Sequence, residues 1–372
     1  MKFQELYELT DAMVESGLRG EGWMNLLLLG PIAVAKTSFF PWYAAEKSKR
    51  GSEALGKSTL KVGVDLRITS SEASTDTGIP SANKENGSLD FFVPDDVLGY
   101  GSSEKCDFDQ NDLNISVYDE FTNTRGNVRT AYQQFFLGRE LRGRKAAPNM
   151  MIAATGNRPK DLSGSTHLEP ALLDRFIKID MEPDRQAWLS EFAPGNIHPC
   201  IIAAVMKRAD LFHRIPDEKG KRPCTGRGLH SISRLMDNGL AGDMLDAAGH
   251  GCIGDAWTEL RAYIGYGHAI PLVEEEVIED PDGAMIPGEV DPSVRLSGEY
   301  AIAGNIAGWL GARKKKGKRV VSREANAIIK YLSRLQPEVA VFALKMAVDA
   351  NSDVAEVRLF GDFLKKHEAL LS

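Results

Sequence analysis

Cysteine pairs, metal-ligand spacings, membrane-length apolar runs and excess positive charge are all missing from this chain. Its four cysteines, Cys106, Cys200, Cys224 and Cys252, lie far apart among 372 residues and form neither a Cys-x-x-Cys pair nor zinc-ribbon spacing. They are read as reduced thiols of a cytoplasmic protein. The seven histidines make no His-Glu-x-x-His pair, so no zinc-type centre is expected. No apolar run reaches spanning length, and the opening MKFQELYELTDAMV has an amphipathic helical pattern rather than that of a signal peptide, so no membrane partner is expected. With 45 Lys and Arg against 52 Asp and Glu, the net charge of −7 counts against a nucleic-acid partner. Internal repeats and low-complexity tracts are absent as well. What remains is ordinary globular composition, 43% apolar and 26% charged, in a chain long enough for two domains and a terminal extension.

Against that background one stretch stands out, LLLLGPIAVAKTSFF from Leu26 to Phe40. An apolar strand, a tight loop of small residues and a helix opening at Lys36-Thr37 are the layout of a phosphate-binding loop, Gly-x4-Gly-Lys-[Ser/Thr]. The loop Gly30, Pro31, Ile32, Ala33, Val34 and Ala35, with the helix opening at Lys36, Thr37 and Ser38, would form an anion cradle from its backbone N–H groups, which only Pro31 lacks, at the positive end of the helix dipole. Lys36 would reach the outer phosphates and the Thr37 hydroxyl would bind Mg²⁺. Alanine at 33 and 35 replaces glycine, and each Cβ disfavours positive φ.

Further along, an apolar strand Leu113 to Tyr118 delivers Asp119-Glu120, an acidic pair suited to holding Mg²⁺ and polarising a water. A buried strand Met150 to Ala154 ends in Thr155-Gly156-Asn157, where Asn157 either positions the same water or starts a turn before Pro159. Arg175, in LLDRF, either serves a neighbouring subunit's phosphate or pairs with Asp174. From Asp184 the pattern becomes helical. Arg227 falls in the first turn of a helix, unfavourably for the dipole unless it faces an anion. Segment 274–292 is acidic, broken by glycine and proline, and reads as a linker or arm. The run Arg313 to Arg319, RKKKGKR, is a basic loop between helices.

The ordered set of GPIAVAKT, VYDE, ATGN, LEPALLDRF and CTGRGLHSISRL resembles an AAA+ ATPase of the MoxR-like branch, in forms often carried by bacteriophages. The resemblance extends to DTGIP at 76–80 and WLSEFAPGNIHPCIIAAVMKR in the following helical region, and covers about 24–271. It implies an α/β fold: a parallel αβα P-loop nucleotide-binding domain at 1–183 with an insertion around 69–101, an α-helical lid at 184–271, and a linker with a C-terminal helical extension at 272–372. It implies ATP and Mg²⁺ as cofactors and a homo-oligomeric ring, usually a hexamer, with ATP at each subunit interface. Residue by residue, Lys36 and Thr37 bind phosphate and metal, Asp119 supports the metal, and Glu120 activates water. Asn157 is the first sensor, Arg175 the arginine finger, and Arg227 the second sensor. Where relatives read Asp-Glu-hydrophobic-Asn-Arg, this chain reads Asp119-Glu120-Phe121-Thr122-Asn123. The expected activity is Mg-dependent ATP hydrolysis that remodels protein clients, often with a von Willebrand factor A partner. Two alternatives stand beside it: a nucleotide-gated scaffold with little hydrolysis, and a DNA-directed helicase loader or translocase.

Overall fold

Four consecutive leucines leave a strand with no polar face, so both sides of Leu26–Leu29 must be covered, the condition of a central strand in a parallel sheet. The computed structural model meets it. It describes residues 3–68, 78–83, 85, 88–93, 95–100, 111–161, 167–193, 196–218, 220–264, 273–286 and 295–367. The chain divides into two compact units, Met1–Pro183 and Asp184–Ser372.

The first unit runs α1 (Phe3–Leu18), β1 (Leu26–Leu29), α2 (Lys36–Arg50), β2 (Val62–Ile68), β3 (Ile79–Asn83), β4 (Ser88–Phe92), β5 (Leu113–Asp119), α3 (Gly126–Gly138), β6 (Glu140–Leu141), β7 (Arg144–Lys145), β8 (Met150–Gly156), α4 (Pro170–Leu173) and β9 (Ile177–Asp180). Five strands form one sheet in the order β2-β5-β8-β1-β9, every neighbour parallel. This is the expected α/β fold. Leu26 and Leu28 pack with Phe39, Phe40 and Tyr43 of α2 and with α1 on one face. On the other face Leu27 and Leu29 pack with Phe121, Tyr132, Phe136 and Phe176. The register Leu29↔Gly156 and Tyr118↔Ala154 brings the carboxyl ends of β1, β8 and β5 to one edge of the sheet. In open parallel sheets that edge is where ligands bind.

Within the segment expected as an insertion, the described residues hold an antiparallel hairpin, β3 with β4, in the register Ile79↔Phe92. Asp76 and Thr77 of DTGIP lie outside the described residues, as does Cys106.

A buried cation ties α1 to α2. The Lys47 side chain, 2% exposed, lies 2.7 Å from Asp11 and 2.5 Å from Glu15. Ser52 Oγ and the Ala54 N–H also donate to Glu15. Burial alone would raise the Glu15 carboxyl and lower the Lys47 ammonium, but these bonds outweigh it in both cases. Glu15 ends below, and Lys47 above, its ordinary value.

The second unit follows as α5 (Arg185–Ala187), continued by a π-type turn Trp188–Phe192, then α6 (Pro199–Lys207), β10 (His213–Arg214), β11 (Cys224–Thr225), α7 (Gly226–Asp237), α8 (Gly242–Ile253), α9 (Ala256–Ile264), α10 (Arg295–Lys315), α11 (Ser322–Leu332), α12 (Pro337–Ala350) and α13 (Arg358–Lys366). Residues expected as lid and as extension share one core, which joins Ile201, Leu229 and Trp257 to Ile306, Tyr331 and Ala347. The reading of 274–292 as a linker needs correcting over its described part. Val277, Ala284 and Ile286 are buried in that core, as is Val273 just before the segment, and Arg334 donates to the carbonyls of Pro281 and Ala284. The basic run is tied down at both ends. Arg313 donates to Glu324 at 2.8 Å and lies over the Trp309 ring, and Arg319 donates to Glu356. The non-helical Arg208 ends α6, and the extended Val357 precedes α13. Among the described residues, no helix is long and apolar enough to cross a membrane.

Removing one partner of a buried pair leaves the other charge uncompensated, so Lys47→Met is expected to cost the first unit on the order of 3 kcal/mol. Because the folded Glu15 value lies below 4.5, its ionised form stabilises the fold at neutral pH and that contribution is lost as pH falls through the folded value. Calorimetry of the full chain below pH 4.5 should show a steeper loss of melting temperature in wild type than in Glu15→Gln; parallel curves would refute this.

Candidate functional site

The loop after β1 turns on two residues that ordinarily avoid its conformation. Ala33 and Ala35 sit at φ 58° and 62°, in the left-handed region, so the chain follows a glycine-type path without glycine. Ala35 immediately precedes α2, whose first residues are Lys36 and Thr37. Gly30 cannot be exchanged: a Cβ there would lie 2.6 Å from the Met181 carbonyl oxygen. Its N–H donates to the carbonyl of Gly156, joining the loop to the tip of β8.

Four of the predicted side chains, carried by three segments (α2, the end of β5 and the tip of β8), meet at this edge. The Lys36 ammonium donates to the carbonyls of Gly30 at 2.9 Å and Pro31 at 2.6 Å, and to Asn157 Oδ1 at 2.9 Å. The Thr37 hydroxyl donates to Asp119 Oδ1 at 2.7 Å. A hydroxyl whose proton is committed in this way presents only lone pairs to anything else. Glu120, exposed and at φ 53°, follows Asp119 and opens the 3-10 turn Phe121–Asn123. Ile32, Val34 and Ser38 complete the stretch, with Val34 buried in the α1/α2 core.

Three further residues were not anticipated as parts of the site. Thr155, fully buried, donates to Asp119 Oδ1 and accepts from the Glu120 N–H at 3.4 Å. Thr122, also buried, accepts from the Asn157 N–H at 3.0 Å. Arg158 bonds Asp161 and Glu182, pinning the turn after Asn157 to the chain beyond β9; its hydrogen bonds hold the Glu182 carboxyl below the usual range. In sequence the only signal was a hydroxyl or a cation beside a motif residue. Beside these groups a cavity of about 450 Å³ is lined by Leu29, Thr122, Arg158, Lys160, Asp180 and Glu182 among others.

Arg175 is not with this group. It precedes β9 at the opposite end of the sheet, where Asn25 Nδ2 donates to its carbonyl, and the paired stretch of β1 and β9 separates it from the loop by roughly 13 Å at ~3.3 Å per residue. Its side chain is half-buried rather than exposed, and Nε donates to the Gln133 carbonyl, not to Asp174. A packed path of rings, Phe121 to Phe136 at 5.5 Å and Phe136 to Phe176 at 5.1 Å, runs from beside Glu120 to beside Arg175. Arg227 belongs to the second unit, exposed in the first turn of α7, whose N-terminus Thr225 caps by accepting from the Gly228 N–H.

As a donor set, the hydroxyl of Thr37 and the carboxylate of Asp119 fit Mg²⁺, a hard cation that takes one or two protein oxygens and fills its remaining positions with water and phosphate. Among the described residues no cluster of three or more His, Cys, Asp or Glu offers a self-contained metal cage.

No protein-family model matches the chain, and no curated protein matches it. Among solved structures it is similar to a protein of Cytophaga hutchinsonii provisionally described as an ATPase, at 13% identity and TM-score 0.31 over 69% of this chain and 88% of that one. It is also similar to NtrX from Brucella abortus at 13% identity and TM-score 0.38, over 99% of this chain and 67% of that one. NtrX in complex with ADP matches at 14% and 0.37, over 100% and 69%. Likenesses this distant say nothing of the chemistry of this chain, which its own geometry has to supply.

Relieving two left-handed alanines should stabilise the first unit. Ala33→Gly and Ala35→Gly are each expected to add about 1 kcal/mol, the penalty of a Cβ at positive φ less the entropy gained by the unfolded chain. A fall in melting temperature for either variant would show that the strain has been misjudged.

Proposed function

We propose that the chain is a Mg-dependent ATPase of the AAA+ type, in the MoxR-like branch. The observation that carries this reading is the convergence of Lys36, Thr37, Asp119 and Asn157 within hydrogen-bond distance at the carboxyl edge of the sheet. In this reading the N–H groups of the loop and of the first turn of α2 cradle the phosphates, and Lys36 exchanges its loop carbonyls for phosphate oxygens. Mg²⁺, when bound, would be held by Thr37 and Asp119 and neutralise charge on the outer phosphates. Glu120 orients and polarises the attacking water, and Asn157 holds that water from the neighbouring strand tip. Positioning and electrostatic stabilisation do most of the work of phosphoryl transfer, so prior fixing of these groups is what the reaction requires.

The finer parts of the reading rest on placement. Arg175 stands too far from its own loop to reach a phosphate there, which supports a role across a subunit interface, and hence a ring, a hexamer in this branch. The half-buried bond to Gln133 makes it a side chain that must swing out on assembly. Arg227, carried by a separate unit, is assigned to sensing nucleotide state. Remodelling of a protein client, with a von Willebrand factor A partner, is the activity such a ring would serve, in the cytoplasm. For the scaffold alternative, Ala33 and Ala35 at positive φ support a loop that keeps its shape. For the DNA-directed alternative the basic run 313–319 would be the contact surface, and pairing of Arg313 with Glu324 and Arg319 with Glu356 counts against it.

Phosphate release per subunit should climb with protein concentration. Glu120→Gln should lower kcat by roughly 10² to 10⁴ while retaining ATP. Arg175→Ala should lower it by about 10³ or more without loss of nucleotide binding. Absence of Mg-ATP turnover at any concentration, with nucleotide occupancy unchanged in Glu120→Gln, would end the ATPase reading. Turnover independent of concentration would end the interface role of Arg175.

A further inference from the structure

The acidic pair and the sensor amide sit on adjacent strands, and two threonines cross between those strands in opposite directions. Thr155 of β8 reaches to β5, donating to the Asp119 carboxylate and accepting from the Glu120 N–H with the same hydroxyl. Thr122, in the turn after β5, reaches back and accepts from the Asn157 N–H. Both side chains are buried, at 0% and 1% exposure. Between them lies Gly156, where an added Cβ would stand 2.5 Å from Thr122 Cγ2 and Oγ1, so the close approach of the two strand tips is part of the arrangement.

We infer that Thr155 and Thr122 form a reciprocal latch that sets the angle between the acidic pair and Asn157. They are positioning residues, and this role rests on the ATPase reading above. Each hydroxyl has its own target. Thr155 fixes which Asp119 oxygen faces Thr37 and supports Glu120 in a left-handed conformation that a non-glycine residue holds only against local strain. Thr122 fixes the backbone of Asn157, and with it the amide that accepts from Lys36. The two arms therefore act on different quantities: Thr155 on the metal-supporting carboxylate and the water-polarising Glu120, Thr122 on the amide alone. Groups of this kind, one bond removed from the ligands, typically change metal affinity or activity 10–100-fold when altered.

The test compares Thr155→Val, Thr155→Ser, Thr122→Val and Gly156→Ala in the full chain. Without nucleotide, amide hydrogen exchange should quicken by about tenfold or more at Glu120 in Thr155→Val and at Asn157 in Thr122→Val, each without the other. With ATP, Thr155→Val should lower kcat by about 10–100-fold and raise the Mg²⁺ concentration for half-maximal turnover, and Thr155→Ser should restore most of both. Thr122→Val and Gly156→Ala should lower kcat at unchanged Mg²⁺ dependence. Unchanged exchange at both amides, or a Thr155→Ser variant as impaired as Thr155→Val, would overturn the latch. A wild type without turnover would overturn the ATPase reading instead. The latch would then be judged by exchange and by the Mg²⁺ dependence of fluorescent-ATP binding, where equal behaviour of wild type and Thr155→Val would overturn it.

Discussion

Helix α2 is bound to strand β5 at its business end by one short contact, the Thr37 hydroxyl on the Asp119 carboxylate at 2.7 Å. That contact needs β1 and β5 to point the same way and to end at the same level. Parallel pairing with β8 between them secures both. A parallel sheet in turn needs both faces buried, which the leucines of β1 and the aromatic cluster around Phe136 provide. Hydrophobic burial sets the frame, and the polar contact is made in the small gap the frame leaves at its edge.

Strain is concentrated in the same place. Ala33, Ala35 and Glu120 all hold positive φ, and elsewhere among the described non-glycine residues only Arg139 and Arg142 do. Each left-handed residue costs of order 1–3 kcal/mol and persists only where the surroundings over-determine it. Here they do so through Lys36 on the loop carbonyls, the Gly30 N–H on Gly156, and Thr155 under Glu120. Replacing glycine by alanine in the loop stiffens it at a local energetic cost. A loop that keeps its shape without a ligand is the physical gain.

The separation of Arg175 from the loop bears on how such a unit would act. Asn25 holds its carbonyl, Gln133 its Nε, and Phe176 joins it through Phe136 to Phe121, the neighbour of Glu120. Arg175 is thus anchored by backbone and rings at the far end of the strands from its own loop. In the second unit, residues 184–271 share one core with the helices that follow, through Trp257, Ile306 and Tyr331.

Sequence alone determined the sheet class, the strand and helix that flank the Gly30–Ala35 loop, and the strand-end positions of Asp119, Glu120 and Asn157. Apolar runs, small-residue loops and strand-end carboxylates are local patterns whose physics acts over a few residues. The reason for Gly249 within α8 is Trp257, whose ring would lie 2.1 Å from an added Cβ. Thr155, Thr122 and Arg158 carried no signal beyond their place beside motif residues, since a buried hydroxyl or ion pair is defined by what lies across the strand. The same holds for the described part of 274–292, where three buried apolar anchors, Val277, Ala284 and Ile286, outweigh a composition that reads as linker. Which strands are neighbours, and which side chains they set face to face, was decided only by the tertiary structure, because those contacts join residues far apart in the chain and owe their energies to burial that no local window contains.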